Sequence, residues 1–251
     1  MGPERTAAAL IIGNELLTGK VQDTNVRPLA RELFALGVRL RRVVTCPDET
    51  EVIVADLDAL RRSHDWVITS GGVGPTHDDV TIHAVAQALG RETFRSPDLE
   101  SLLRDYFGER ITDAHLRMAE IPCGAELVRN AATPWPLLLV DNVFVLPGLP
   151  EVFRRKLPLL AERIGAGQGF ISRAVYTRSD EGDLAPILDR LCREHPDVAI
   201  GSYPRWGDDA PYRVAVTFDG RDRAMVENAV NALGRALPPE QIVEIDPCEG
   251  S

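Results

Sequence analysis

The first two-thirds of the sequence alternates short apolar, β-prone runs with segments of helical spacing, and this alternation limits the possible folds more than any other feature. Strand-like runs at 7–12, 38–46 and 66–69 are each followed by a helical pattern, at 24–36, 51–62 and 78–89. Alternating strands and helices imply parallel strands joined by crossover helices. The sequence therefore predicts an α/β domain with a mostly parallel sheet.

The rest of the chain has a different rhythm. Helical patterns at 97–107, 112–119 and 151–163 flank two strands, 137–140 and 143–146, that an Asp-Asn pair separates as a tight turn. A "GAGQG" stretch at 165–169 then reads as a linker. Beyond it the predicted order is βαββαβ, which is the ferredoxin-like pattern. We therefore expect two domains, 1–166 and 167–251, the second a small ferredoxin-like α+β domain.

A glycine-rich turn follows the third predicted strand, in the stretch "DWVITSGGVGPTHDDVT" at 65–81. Ligands of open parallel sheets bind beyond the carboxyl ends of the strands, and the first turn of a helix favours an anion. Gly71, Gly72 and Gly74 could therefore hold a phosphate, although the same glycines also suit a tight turn alone. The stretch is neither a P-loop nor a GxGxxG fingerprint.

Two aspartates follow this turn. Thr76 and Asp79 have the spacing of a capping box at the start of a helix, and acidic residues in a first helical turn are favourable. Carboxylates beside a phosphate repel it, however, so a site that holds both needs a divalent cation between them. Asp78 and Asp79 would point about 100° apart on the helix, which leaves one for the ligand and one for capping or solvent.

The charge balance narrows the classes of partner. Lys and Arg total 28 against 38 for Asp and Glu, a formal net charge of -10, which argues against nucleic acid or an anionic membrane but not against a small phosphorylated ligand. No CxxC pair occurs among Cys46, Cys123, Cys192 and Cys248, so neither a zinc site nor a disulfide framework is expected. Without a signal-peptide pattern or a membrane-length apolar run, we expect a cytoplasmic protein.

Several motifs together resemble a known superfamily. "GGVGPTHDDVT" is similar to the signature of the molybdopterin-binding domain superfamily, in the form of its CinA (competence/damage-inducible) branch, and "GNELLTGKVQDTN" at 13–25 and "PGLPEVF" at 147–153 agree with it. "GSYPRWGDD" at 201–209 and "TPWPLLLVDNVFVLPGLP" resemble the N-terminal domain of eukaryotic FAD synthases. "AATPWP" replaces the Gly-Thr-Ala-Pro-Gly segment of most CinA proteins, which puts the substrate in doubt more than the fold. We expect neither the amidohydrolase domain of CinA proteins nor the nucleotidyl-transferring domain of FAD synthases.

The resemblance implies a three-layer αβα domain and a pyrophosphatase that releases AMP from ADP-ribose or FAD. It implies a divalent cation (Mg²⁺, Mn²⁺ or Co²⁺), with K⁺ as a further candidate, and a homodimer. The catalytic residues carried over are Asp79, Asp48 and Glu15, and the metal ligands are Asp78, Asp79 and Asp48. The substrate-binding residues carried over are Gly71, Gly72, Gly74, Pro75, Thr76, Thr18, Asn25, Pro147 and Gly148.

Other interpretations stay open. The same pocket could bind molybdopterin without hydrolysing anything, since fold does not fix activity, or transfer an adenylyl group to molybdopterin in molybdenum cofactor biosynthesis. We interpret His77 and His83 as helix-surface residues, with a transition-metal site as the alternative. We interpret Tyr203 and Trp206 as packing residues of the small domain, with stacking on an adenine or flavin ring as the alternative.

Overall fold

The structure, a computed structural model, describes residues 4–131, 133–207 and 210–246. Over these residues the chain forms two compact units, the first ending at Gly167 and the second beginning at Gln168. The strands of the first unit are β1 Arg5–Ile12, β2 Val38–Cys46, β3 Trp66–Ser70, β4 Thr93–Arg95, β5 Glu120–Pro122, β6 Glu126–Asn130, β7 Thr133–Val140 and β8 Val143–Leu146. Its helices are α1 Asn14–Leu17, α2 Val26–Ala35, α3 Thr50–Ser63, α4 Thr81–Ala88, α5 Pro97–Phe107, α6 Asp113–Arg117 and α7 Pro150–Ile164.

A six-stranded sheet with the order β2-β1-β3-β8-β7-β6 organises this unit. The pairs β1–β2, β1–β3 and β3–β8 are parallel, whereas β7 runs antiparallel to β8 and β6 antiparallel to β7. The turn between β7 and β8 has Asp141 at φ 52, a conformation that Asp tolerates better than most residues. The predicted mostly parallel sheet is confirmed.

Both faces of the sheet are covered, because side chains of the central strand β1 point alternately to two cores. Ala9 packs in one core with Phe153 of α7, and Leu10 packs in the other with Leu57 of α3. All four residues are fully buried. This arrangement gives the three αβα layers that the resemblance implied, and it leaves the strand ends for the loops that carry the glycines.

A short excursion of the chain lies between α4 and β6. It contains α5, α6 and the antiparallel pair β4–β5. The sequence pattern predicted the two helices but not the two strands. Ser96 caps α5 through its side chain, which accepts from the Leu99 N–H at 3.4 Å, and Thr112 caps α6 with His115 in the place of the usual Glu. The excursion places α6 beside the glycine turn.

The second unit contains β9 Ile171–Thr177, α8 Glu181–Glu194, β10 Ala199–Pro204, β11 Val214–Gly220, α9 Arg223–Ala236 and β12 Ile242–Ile245. Its four strands form an antiparallel sheet with the order β10-β11-β9-β12. Residues of α8 and α9 share one core with inward-facing strand residues such as Val216 and Phe218. The ferredoxin-like pattern is thus confirmed. Among the described helices of both units, none has the length and apolarity to cross a membrane.

Candidate functional site

Three loops meet at the carboxyl edge of the parallel strands. They follow β1 at Gly13, β3 at Gly71 and β8 at Pro147. The Gly71 N–H donates to the Leu146 carbonyl oxygen at 3.1 Å, and a Cβ on Gly148 would lie 3.3 Å from Gly71 Cα. The loops after β3 and β8 are therefore in backbone contact, at the edge where open parallel sheets bind ligands.

The turn after β3 can be formed only with glycine at its first two positions. Gly71 has φ 112 and Gly72 has φ 62, values that side-chain-bearing residues rarely adopt. A Cβ on Gly71 would also collide with the Ile12 carbonyl oxygen, and one on Gly72 with Thr81 Oγ1. Gly71 and Gly72 are thus needed to form the tight turn, which is one of the two roles that the sequence allowed for them.

Thr81 fixes where α4 begins. Its buried hydroxyl donates to the Gly71 carbonyl oxygen at 2.9 Å, and its N–H donates to the Gly72 carbonyl oxygen at 3.0 Å. These bonds tie the first residue of α4 to the base of the glycine turn. The prediction that this helix begins at residue 78 is wrong, because the turn closes on Thr81 and not on the aspartates.

The same turn presents free backbone donors. Within the described part of the chain, the N–H groups of Gly72, Val73 and Gly74 have no acceptor. Successive N–H groups in a turn with a left-handed residue form an anion-binding concavity. The turn can therefore accept phosphate oxygens through its backbone, in addition to its structural role.

The two aspartates converge on a single hydroxyl group. Thr76 Oγ1 lies 2.6 Å from both Asp78 Oδ1 and Asp79 Oδ2, and the Thr76 N–H donates to Asp79 Oδ2 at 2.9 Å. These bonds close a turn ahead of α4, so the predicted capping box is formed only in part and does not start a helix. The predicted 100° separation of the aspartates is wrong for the same reason. The Thr76 hydroxyl group is the main cause that lowers the pKa of Asp78 from its usual value.

Glu15 lies just after β1, and Asp48 lies in the loop after β2, beside it. The Asn14 N–H donates to Asp48 Oδ2 at 2.8 Å, and Asp48 Oδ1 lies 3.6 Å from where a Cβ of Gly72 would be. Glu15 is in α1, and its Oε1 lies 2.5 Å from the position of a Cβ on Gly13. Both carboxylates are thus brought to the strand ends, with Asp48 linking the loop after β1 to the glycine turn.

Asn25 connects the end of β3 to the loop after β8. Its side chain is 4% exposed, and its Nδ2 donates to Ser70 Oγ at 3.0 Å and to the Gly148 carbonyl oxygen at 2.8 Å. Its Oδ1 is buried without a partner among the described residues. Asn25 therefore holds the end of β3 against the loop that contains Pro147. Thr18, by contrast, is exposed at the end of α1, and its hydroxyl group donates to the Asn14 carbonyl oxygen.

A cleft of about 260 Å³ lies against the glycine turn, between α4 and α6. Its lining includes Val73, Asp79, Ile82, His83, Arg117 and Met118. Arg117 Nη2 donates to the Pro75 carbonyl oxygen at 2.6 Å, so α6 braces the turn that carries Asp79. The His77 side chain is 97% exposed and that of His83 58%, which agrees with surface positions, although His77 is in the turn and not on the helix.

The predicted metal ligands are only partly brought together. Within residues 4–131, 133–207 and 210–246, no group of three or more His, Cys, Asp or Glu side chains could hold one metal ion. A single ligand set of Asp48, Asp78 and Asp79 is therefore not formed among the described residues, and a cation held by Asp79 with either Asp48 or Asp78 stays a prediction. The pair Asp78–Asp79 does fit a hard cation, because Mg²⁺ needs only one or two carboxylates when substrate phosphates and water complete its coordination.

Several residues of the site escaped the sequence analysis. Ser70 directly follows the strand predicted over 66–69, and this strand-end position is the signal that could have singled it out, whereas Thr81 lies inside the helix predicted over 78–89. Arg117 lies 42 residues from Pro75, and no local pattern connects the two. Tertiary packing of the excursion is what brings that guanidinium to the turn.

Comparison with known proteins gives two family matches. Residues 8–165 match the family model described as a probable molybdopterin binding domain, and residues 169–246 match the one described as the middle domain of FAD synthase. A protein of Archaeoglobus fulgidus is 32% identical over 226 residues, which cover 90% of this chain and 95% of that protein. A probable FAD synthase of Caenorhabditis elegans is 28% identical over 264 residues, covering 94% of this chain but only 51% of that protein.

Among solved structures, the CinA protein of unknown function from Thermoplasma acidophilum superposes with a TM-score of 0.59 at 27% sequence identity. The match covers 64% of this chain and 98% of that chain. The structural match therefore covers about as much of this chain as the probable molybdopterin binding domain model does, which matches residues 8–165.

Proposed function

Because the chain belongs to the probable molybdopterin-binding domain family, we propose that its strand-end site hydrolyses the diphosphate bond of a nucleotide such as ADP-ribose or FAD and releases AMP. The proposal takes the general nucleotide chemistry from the relatives named above as FAD synthases. The specific reaction is argued from the geometry of the glycine turn and its carboxylates.

The observation that carries the proposal is the shared Thr76 hydroxyl group. A hydroxyl group has one proton to donate, yet Asp78 Oδ1 and Asp79 Oδ2 both lie 2.6 Å from it. That proton can go to only one of the two oxygens, and Asp79 Oδ2 also accepts from the Thr76 N–H at 2.9 Å, so one residue holds the two negative charges close together. A cation between them would offset their repulsion, and the exposed Asp78 with the half-buried Asp79 would leave room for phosphate oxygens and water to share the cation.

The backbone of the turn supplies the complementary half of the site. The N–H groups of Gly72, Val73 and Gly74 would hold the oxygens of one phosphate group, next to the carboxylate pair. A divalent cation bound by Asp78 and Asp79 would neutralise charge on the diphosphate. Without the cation, the same carboxylates would repel the diphosphate, so the proposed reaction requires both the backbone N–H groups and a bound cation.

The remaining residues position the reactants. Glu15, exposed at the end of β1, orients the attacking water and takes up its proton as the P–O–P bond breaks. Asp48 fixes the loop that bears Glu15 through the Asn14 N–H. Arg117 holds Pro75, and with it the turn that carries the carboxylates.

The cleft beside the turn offers a place for the nucleoside. Its walls combine apolar side chains (Val73, Ile82 and Met118) with the polar groups of His83 and Arg117. A mixed lining of this kind suits a flat base with polar edges. The cleft begins at Gly74 and Asp79, so a nucleoside within it would have its phosphate directed to the turn.

The test is release of AMP from FAD, ADP-ribose and NAD in the presence of Mg²⁺, Mn²⁺ or Co²⁺. Asp79→Asn is the informative variant, because its side-chain oxygen can still accept from the Thr76 N–H while the charge is lost. We expect turnover to fall at least about 100-fold, since removal of one charge-stabilising group costs about that much in other enzymes. The free energy of unfolding should change by less than about 1 kcal/mol.

Asp105→Asn is the matched control. Asp105 is exposed in α5, so the same chemical change there should leave turnover at the wild-type value. Full activity of Asp79→Asn would remove the carboxylate pair from the mechanism. An equal loss in both variants would show that the effect is not specific to the site.

A second function is favoured by the description of the family itself, which is that of a probable molybdopterin-binding domain. The same backbone donors and cleft would accept the phosphate and ring of a pterin without catalysis. Tight binding of a phosphorylated pterin, with no AMP from any substrate under any metal, would select this function. Formation of AMP would select the hydrolase.

A further inference from the structure

Two features of the molecule have no part in the proposed reaction. Tyr203 and Trp206 are 60% and 92% exposed, so the interpretation of these residues as packing residues is wrong for the described part of the second unit. Glu120, by contrast, lines the cleft beside the glycine turn together with His83. We infer that Glu120 determines specificity by accepting a hydrogen bond from the amino group of the nucleobase, an inference that rests on the proposed function.

The position of Glu120 is set by strand pairing. It is the first residue of β5, and it lies opposite Arg95 of β4 in the antiparallel pair. Next to this pair, the Ser96 N–H donates to the Ala119 carbonyl oxygen at 2.8 Å. The backbone that carries the carboxylate is therefore held in place before a ligand enters the cleft, and a group that is already ordered costs little to order on binding.

The carboxylate of Glu120 can still accept hydrogen bonds. Its ion-pair partners among the described residues are Arg95, with Nη2 4.0 Å from Oε1, and His83, with Nε2 3.7 Å from Oε2. Both distances exceed the range of a hydrogen bond. The side chain is only 28% exposed, and a carboxylate that is largely removed from water needs donors. A ligand that brings an N–H group to this wall of the cleft would therefore gain a charge-assisted hydrogen bond.

The place of Glu120 in the cleft selects the base over the phosphate. Gly74 and Asp79 line the cleft at the turn, where the phosphate would be held, whereas Glu120 belongs to β5, outside the turn. In a 5′-nucleotide the base lies farthest from the phosphate, and the apolar side chains of Ile82 and Met118 would contact its faces. An ionised carboxylate only accepts, so the edge of the base that meets it must donate. Adenine has such a donor in its exocyclic amino group.

The experiment is calorimetric titration of the 251-residue chain with AMP and with purine riboside 5′-monophosphate, both in Mg²⁺. The second nucleotide lacks the amino group but keeps the ring system, the ribose and the phosphate. We expect AMP to bind at least about 10-fold more tightly, which is what a hydrogen bond to a charged group contributes. Glu120→Ala should bring the ratio of the two dissociation constants to about one. Both ligands carry the same phosphate, so the ratio cancels the general effect of removing a negative charge.

Two further variants control for folding and for charge. Glu120→Gln keeps the shape of the side chain and an acceptor oxygen but loses the charge, so the ratio should fall to about threefold. This variant decides the question if Glu120→Ala does not fold, since a wild-type ratio in Glu120→Gln would overturn the inference. Glu109→Ala removes an exposed carboxylate from the same excursion of the chain and should leave the ratio at its wild-type value.

The outcomes separate this inference from the proposed function. Equal affinities of the wild type for the two nucleotides would overturn the inference, and so would an unchanged ratio in Glu120→Ala. Loss of discrimination against 2′-deoxy-AMP in Glu120→Ala, with the amino-group ratio unchanged, would assign Glu120 to the ribose and overturn its role at the base. AMP release from ADP-ribose without discrimination between the nucleotides would remove this inference and leave the hydrolase. Discrimination that depends on Glu120, without hydrolysis of any substrate, would support the inference and reject the hydrolase.

Discussion

Replacing Gly72 by alanine should destabilise the first unit far more than the same change at Gly90. The two glycines have nearly equal dihedral angles, φ 62 at Gly72 and φ 63 at Gly90, and they precede and follow the same helix, α4. They differ in surroundings, because no atom of the described residues would lie within 4 Å of a Cβ on Gly90, whereas a Cβ on Gly72 would overlap Thr81 Oγ1.

The magnitude follows from two contributions. An alanine in the left-handed region costs about 1–2 kcal/mol, and the restricted unfolded chain returns about 0.4–1 kcal/mol, so Gly90→Ala should cost about 1 kcal/mol. At Gly72 the Thr81 hydroxyl group must also turn away from the Gly71 carbonyl oxygen. Losing a buried hydrogen bond and leaving its acceptor unpaired adds about 1–3 kcal/mol, which gives about 2–4 kcal/mol for Gly72→Ala.

Urea denaturation followed by tryptophan fluorescence measures both variants. Trp66 in β3 packs on Phe144 with ring centres 5.2 Å apart, so its emission reports the unfolding of the first unit. Trp206 is 92% exposed and should contribute little change. The two substitutions are compared in one protein with one probe, so the difference between them isolates the environment of Gly72.

The double variant Gly72→Ala, Thr81→Ala tests the cause. With the hydroxyl group already removed, the added Cβ no longer displaces a hydrogen bond, so the two costs should sum to about 1–3 kcal/mol more than the double variant shows. Equal costs for Gly72→Ala and Gly90→Ala would refute the contact. Additive costs in the double variant would refute Thr81 as its partner.

Two further predictions concern buried titratable groups. Burial lowers the pKa of Lys156 to about 8. Between about pH 8 and 10.5 the unfolded chain therefore holds a proton at this residue that the folded chain has lost. The free energy of unfolding should rise with pH across this range, by roughly 3 kcal/mol at most. Lys156→Met should remove that rise, as chemical denaturation across this pH range would show. Burial, with added repulsion from Asp56 and Asp48, raises the pKa of Cys46 to about 12, so mass spectrometry after iodoacetamide treatment at pH 8 should find exposed Cys123 modified and Cys46 unmodified until the chain unfolds.

Much of the fold was predictable because its elements have strong periodic patterns. The bounds predicted for β2, α5 and β8 coincide with those of the structure, and the parallel direction of β1, β2 and β3 follows from the alternation of strands and helices. The resemblance to CinA proteins and to FAD synthase is confirmed by the family and structure matches. The lengths of these longer elements and the turn residues beside them were enough to predict where the elements begin and end.

The elements that were missed are short or irregularly paired. The strands β4 and β5 have three residues each and pair across an excursion of more than twenty residues, so only tertiary structure defines them. Helix α1 has four residues and none of them is buried. β6 pairs with β7 by an irregular register, and its sequence carries no clear alternation.

The residues of the site were predictable in kind but not in arrangement. Glycines and acids at a strand end indicate an anion and a cation, and the structure does place Asp79 against Gly74 and Asp48 near Gly72. The sequence could not show that Asp48 bonds instead to the Asn14 N–H, because that contact depends on how two separate loops pack.

The start of α4 shows how a local rule and a functional geometry compete for the same residues. A complete capping box would have placed Asp79 within the helix, with its charge partly neutralised by the helix N-terminus, whereas only the bond from the Thr76 N–H to Asp79 Oδ2 is formed. Thr81 instead takes over the helix start through the glycine turn, which releases Asp79 and Asp78 to meet at one hydroxyl group. The stability given up at the cap is small, about 1 kcal/mol, and what remains is a pair of close carboxylates that the helix does not neutralise. We propose that this residual charge, beside the N–H groups of Gly72, Val73 and Gly74, which have no acceptor among the described residues, lets the turn bind a cation and a phosphate together.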